Sequence, residues 1–387
     1  MRAASAPFGT DTAVRSGKHA PRKHVYATLD GIRGIAAALV AMRHAGALFP
    51  GWDFPNSGLA VDLFFVISGF VVASAYDRRL ADGLTPGAFM RIRLIRLYPL
   101  YLAGLLLGLG AGVLCWLSGT DPQLNARVLA ACLLFGLVML PSLYSWNGEI
   151  FPLNPPAWSL FFELAINALY AVVHRFLTPR RLVAVAVLSG AILLEMSLTG
   201  HALDEGHNWS HFATGFVRVT YSFTLGIVLF HLPCRPVISS PGSAAILLLA
   251  AAILMVPPLG AWYPLLAITL LMPALVFLGT MIEPGPKLRR GWHLLGRISY
   301  PLYVLHAPAA IYVEWSLGRA GLPQPGVAVG LVFLLAMMAI AWWADRRFAV
   351  WFGPASRLWR RPVAGPLGSR SRFGYSRPLP DSGKGSP

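Results

Sequence analysis

Eleven apolar runs separated by short polar loops leave this chain few folds to choose from. They are Ala27–Phe49, Leu59–Tyr76, Leu97–Leu117, Val128–Leu140, Ala157–Leu177, Leu182–Leu198, Phe212–Phe230, Ala244–Val256, Ala261–Ile282, Ile298–Leu317 and Val327–Trp343. A helix needs about 20 apolar residues to cross a ~30 Å hydrocarbon core, and Val128–Leu140 falls short of that. With 56% hydrophobic and only 12% charged residues over 387 positions, the chain is too apolar for a soluble domain. The expected fold is all-α, a polytopic membrane helical bundle. Its net charge of +16 lies in tails and short loops, which reports orientation and points to no nucleic acid partner.

The basic loops set the topology. The second run ends at Asp77-Arg78-Arg79, on the cytoplasmic side. From Ala157 onward HRFLTPRR falls inside, TGHALDEGHNWSH outside, EPGPKLRRGWHLLGR inside, GRAGLPQPG outside and ADRRF inside. Residues 96–156 must then make one net passage, where two full spans would break the alternation. The expectation is about ten transmembrane helices, with Val128–Leu140 or part of Leu97–Leu117 re-entrant, both termini cytoplasmic, and the chain seated in the inner or plasma membrane. Leu80–Arg96, with Thr85-Pro86 as a helix start, reads as a basic membrane-skimming helix leading into the next span. Residues 1–26 and 349–387 are expected to be disordered cytoplasmic tails around a transmembrane domain at 27–348. Cys115, Cys132 and Cys234 have no metal-ligand spacing and are taken as packing residues; no metal site is expected.

An ionisable group at membrane depth is costly and is by default a hypothesis about function. Of ten histidines only His44 and His306 lie well inside apolar runs. Arg33 and His44 are eleven residues apart on one helix, roughly 16 Å along its axis and within about 20° of the same face. Imidazole suits a general base near neutral pH; a packed His beside a snorkelling Arg is the bland alternative. Asp62 opens the second run, where it either orients the His44 imidazole or caps its own helix. Glu163 sits at about the depth of His44, with Trp158 and Ser159 one turn earlier. Arg91, Arg93 and Arg96 crowd the inner surface, either as phosphate ligands or as orientation signals. SYPLYVLHAP carries Ser299, Tyr300, Tyr303 and His306 along one span. Trp52, Trp146 and Trp209 in the outer loops anchor at the interface or stack on sugar rings.

These residues together resemble the membrane-bound acyltransferase 3 family. LDGIRGIAAALVAMRH is similar to its first span, with Arg33 and His44 in the marked positions; GLAVDLFFVISGF carries Asp62 and Ser68; RLIRLYPLY carries Arg93, Arg96 and Pro99; WSLFFELAINALY carries Trp158 and Glu163; and SYPLYVLH ends at His306. WWADRRF departs from the family pattern, so Asp345 is left out of the site. The resemblance implies an enzyme that moves an acyl group, usually acetyl, from cytoplasmic acyl-CoA to a hydroxyl of a saccharide or a glycosylated small-molecule acceptor, with no bound cofactor. It further implies His44 as general base, Asp62 or Glu163 as its orienting acid, and Arg33, Arg93 and Arg96 at the donor, with Ser68, Trp158, Ser159, Tyr300 and His306 in support. A covalent acyl-histidine relay is a variant of the same scheme. A saccharide transporter or flippase is the competing class; it predicts internal repeats, and none is evident.

Overall fold

The computed structural model describes residues 25–358, apart from residues 53, 202, 204, 234, 258, 261, 323 and 324. The expected tails fall largely outside the described residues, as does Cys234. The helices are α1 (Ala27–His44), α2 (Ala60–Ala81), α3 (Pro86–Leu117), α4 (Ala126–Leu137), α5 (Ala157–Val173), α6 (Pro179–Leu198), α7 (Phe212–His231), α8 (Ser240–Met255), α9 (Trp262–Leu266), α10 (Met272–Met281), α11 (Pro286–Arg319) and α12 (Val327–Leu358). α9 and α10 form one rod interrupted by a π-helical turn at Ala267–Leu271. The last helix runs to Leu358, ten residues beyond the boundary expected at 348.

Among the described residues, seven of these rods are long and apolar enough to cross a membrane: α2, α3, α5, α6, α7, the α9–α10 rod and α12. α1 has 18 residues but carries Asp30, Arg33 and Arg43. α11 is long but polar in its first turns, and α8 and α4 have only 16 and 12 residues.

Of the segment expected to skim the membrane, Leu80 and Ala81 close α2 and residues 86–96 form the first turns of α3, continuous with the apolar run that follows. Thr85 accepts a capping bond from the Ala88 amide and Pro86 fills the first turn, so the start was legible. Nothing then breaks the helix before Leu117, because Pro99 is accommodated within it. α4 covers only about 18 Å at 1.5 Å per residue, too little to cross. It descends alongside α3 and ends where Tyr98 and Tyr101 donate to the Leu137 and Gly136 carbonyls, at 2.8 and 2.7 Å. The chain then returns as irregular backbone: Ser142 N–H bonds Ile150 O at 2.7 Å, and Leu153 packs against Gly108 of α3. Ile150, Phe151, Leu153 and Asn154 are buried, so this non-helical stretch is surrounded by protein. α4 and the segment after it thus form a short helix and an irregular return packed against α3.

Two close pairings position the site. α1 lies along α11, with Gly34 against Leu295 and Gly296 against the Asp30 side chain. α2 lies along α7, with Gly69 against the Phe223 backbone and Gly226 against the Val66 carbonyl, an approach that no side chain would permit. Loop contacts fix the register of the first pair. The Ala27 amide donates to Glu283 Oε2 at 3.0 Å and the Thr28 hydroxyl to Ile282 O at 2.5 Å. Burial pushes the Glu283 carboxyl up to about 7. At the same end of the bundle Asp77 accepts from Tyr170 at 3.1 Å and meets His174 at 2.7 Å.

Candidate active site

His44 closes the C-terminal end of α1 and faces α11. Its Nδ1 lies 3.0 Å from Val40 O, the carbonyl one turn back, so Nδ1 carries the proton and Nε2 presents a lone pair. His306 of α11 repeats the arrangement, with Nδ1 3.0 Å from Leu302 O. The two rings meet edge to face, centroids 5.0 Å apart. His44 is exposed, whereas His306 is fully buried. Tyr303, whose hydroxyl is 2.7 Å from Ser159 Oγ, flanks His306 at a ring separation of 6.0 Å. His207, ahead of α7, lies within electrostatic reach of His44 and 6.4 Å from the Trp158 ring.

Both expected carboxylates meet arginines. Asp62 is fully buried and held in a fork by Arg218 of α7, with Nε to Oδ1 at 3.2 Å and Nη2 to Oδ2 at 2.5 Å. Arg218 also donates to Glu205 O at 2.5 Å and stands over the Trp158 ring, 5.5 Å from its centroid. Asp62 stands in the first turn of α2, as the helix-end reading expects, without capping it through its side chain, and the partner neither reading foresaw is Arg218. Glu163 accepts from Ser68 at 2.8 Å and from Arg93. It stands one turn from Ser159 toward the Asp77 end, and Arg93, expected at the inner surface, is drawn in to meet it and buried. The His44 tautomer is thus set by a backbone carbonyl, a partner every helix offers and no motif announces.

At the other end of α1, Arg33 donates to Ser299 Oγ at 3.1 Å and faces Asp30 at 3.6 Å; Asp30 also meets His293 at 3.0 Å. Arg33 and His44 therefore share a face, both directed at α11, as their spacing predicts. Arg96 is exposed and within electrostatic reach of Arg93, Arg33 and Glu163. The Tyr300 hydroxyl closes this region by donating to Leu97 O at 2.6 Å. Asp345 pairs with Arg297 at 2.5 Å, away from the histidines. Sequence reasoning missed Arg218. The signal was present: a lone arginine within the apolar run FATGFVRVTYSF needs a buried acid. Among the described residues, no group of three or more His, Cys, Asp or Glu is arranged to hold a metal.

The arrangement offers an imidazole whose Nε2 is not engaged by its own helix, and some 16 Å away on the same face of α1 Arg33, with Arg96 of α3 within electrostatic reach of it. Residues 26–346 match the family described as Acyltransferase domain. "Protein 2 in picA locus" of Rhizobium radiobacter is 42% identical over 176 residues, 43% of this chain and 91% of that protein. Acyltransferase MdmB of Streptomyces mycarofaciens is 30% identical over 336 residues, 79% of this chain and 83% of its own. Exopolysaccharide production protein ExoZ of Rhizobium meliloti is 28% identical over 305 residues, 75% and 88%. No solved structure matches the chain.

Proposed function

As this chain belongs to the acyltransferase family, with the domain spanning residues 26–346, we propose that it takes an acyl group, acetyl in the first instance, from cytoplasmic acyl-CoA and transfers it to a hydroxyl of a saccharide or a glycosylated metabolite. The observation that carries this reading is the α1–α11 face, with an accessible imidazole at one end and Arg33 at the other. ExoZ, by its name, serves exopolysaccharide production, which supports a saccharide acceptor.

In this reading Arg33 and Arg96, with Arg93 behind them, receive the phosphates of the donor, and the thioester reaches the level of His44. The His44 Nε2 lone pair takes the proton of the acceptor hydroxyl as its oxygen attacks the thioester carbonyl. The C–O bond forms, the C–S bond breaks, and the proton passes to the thiolate, releasing free CoA thiol. A positioned general base of this kind contributes about 10²–10⁴-fold. Asp62 acts at a distance: by neutralising Arg218 it keeps a bare cation away from the imidazole that must accept a proton. Glu163 does the same for Arg93, while Ser68, Trp158, Ser159 and Tyr300 hold the walls.

Ten spans, a re-entrant α4 and cytoplasmic termini complete the proposal, with the arginine cluster on the cytoplasmic side. Reporter fusions after Thr120 and after Ser145 are expected on one and the same side; opposite sides would sink the topology. The activity is tested by adding acetyl-CoA to membranes with and without the protein. Release of CoA thiol, together with base-labile acetyl groups on envelope or secreted glycans, is the expected result. Glycan export that depends on the protein without thioester turnover would replace transfer by transport.

A further inference from the structure

His306 is the group this mechanism leaves unused. It is fully buried, its Nδ1 is committed to Leu302 O, and its Nε2 has no hydrogen-bond partner among the described residues. A buried acceptor left unpaired costs about 1–3 kcal/mol, so a donor is expected at some point in the working cycle. Neither water nor a substrate reaches a nitrogen with no accessible surface. The titratable ring packed against His306 is His44, edge to face with centroids 5.0 Å apart and no hydrogen bond between the two at rest.

We propose that His306 is a positioning residue acting through His44: its Nε2 accepts a hydrogen bond from the Nε2–H of the His44 imidazolium during turnover, while the Val40 carbonyl holds the Nδ1–H on the far side of that ring. The inference rests on the transfer reaction above and specifies how its charged intermediate state is held. The acceptor O–H bond breaks and the His44 Nε2–H bond forms. The imidazolium shares that proton with the His306 lone pair while the C–S bond breaks, and the thiolate then takes the proton, leaving both imidazoles neutral. A neutral partner fits the place. Asp62 and Glu163 are engaged by Arg218 and Arg93, and a second buried carboxylate would carry a desolvation cost that an imidazole does not. The other groups around the pair are Arg43 beside His44 on α1, His207 ahead of α7, and Tyr303 on α11, whose hydroxyl is turned to Ser159; Arg218 of α7 lies within electrostatic reach of Tyr303 and is neutralised by Asp62.

Two substitutions of nearly equal bulk separate the two ring nitrogens. The Gln amide occupies the position of Nε2, the Asn amide that of Nδ1. CoA thiol release from acetyl-CoA is followed as kcat/KM against pH for wild type, His306→Gln and His306→Asn, each checked for monodispersity in detergent. Losing the acceptor destabilises the His44 imidazolium and lowers its pKa. The acid limb of His306→Asn is therefore expected at lower pH, by on the order of one unit, with a lower plateau, and that of His306→Gln close to wild type. Identical acid limbs in all three proteins overturn the inference and leave His306 a packing residue. Absence of thioester turnover in wild type overturns the transfer reading itself, and this inference with it.

Discussion

At one end of the α1–α11 seam Arg33 faces Asp30, Asp30 meets His293, and Arg33 reaches Ser299; at the other end His44 and His306 turn their ring N–H groups back onto their own helices. The same two helices thus build two kinds of site. In the first, side-chain charges are matched to one another, and a phosphate-bearing ligand enters by adding anions to a cluster already rich in cations. In the second, the carboxylates are spent: fully buried Asp62 and half-buried Glu163 are paired with arginines, and each imidazole keeps its Nε2 off its own helix. Charge that is paired can bind; a lone pair that is kept free can take a proton.

The sharpest way to break this contrast is His44→Ala. Thioester turnover is expected to fall by about 10²–10⁴-fold while protein level and membrane insertion persist, and full activity in that variant would end the assignment of chemistry to this end of the seam. Next comes the charge-clearing pair. Asp62→Ala strands a fully buried Arg218 and should cost about 3–5 kcal/mol, read as thermal unfolding in detergent. Asp62→Leu combined with Arg218→Met should recover most of that, since no uncompensated charge remains. If the single and double variants unfold alike, the pair does not work as a unit.

Arg33→Ala tests the binding end. Removing one charge-assisted hydrogen bond, worth about 1.5–3 kcal/mol, should raise KM for acetyl-CoA by about tenfold or more with kcat less affected. A loss confined to kcat would move Arg33 into the chemistry. The smallest effect is expected at the loop that sets the seam's register. Burial raises the Glu283 carboxyl from its ordinary 4.5 to about 7. A group raised in the folded state contributes stability that is full below 4.5 and lost as pH rises through about 7. Glu283→Gln should flatten that decline in a melting series across the window, and an unchanged slope would show that the carboxyl does not titrate there.

Much of this was legible in the chain. Arg33 and His44 sit on one face of α1 because eleven residues nearly complete three turns, and no packing detail can alter that. The short α4 was recognisable by length, since twelve residues cannot cross a bilayer whatever surrounds them. What escaped was pairing. Which cation takes Asp62, and that Glu163 draws Arg93 inward, depends on contacts between residues 156 and 70 positions apart. The Val40 and Leu302 carbonyls that fix the two imidazole tautomers are invisible for the opposite reason, because a backbone acceptor has no residue type. The π turn at Ala267–Leu271 leaves the apolar run unbroken and so leaves no mark in hydropathy.

The glycine contact between α2 and α7 has a mechanical meaning beyond packing. Gly69 lies seven residues from Asp62 on one helix and Gly226 eight residues from Arg218 on the other, roughly 10–12 Å along each axis. The crossing is a fulcrum, and the ion pair sits out on both arms of the lever. A methyl group added at the crossing would wedge the helices apart, and the displacement would be delivered where a two-pronged salt bridge tolerates little stretch. The smallest residues in this part of the molecule thereby hold together its most deeply buried charges.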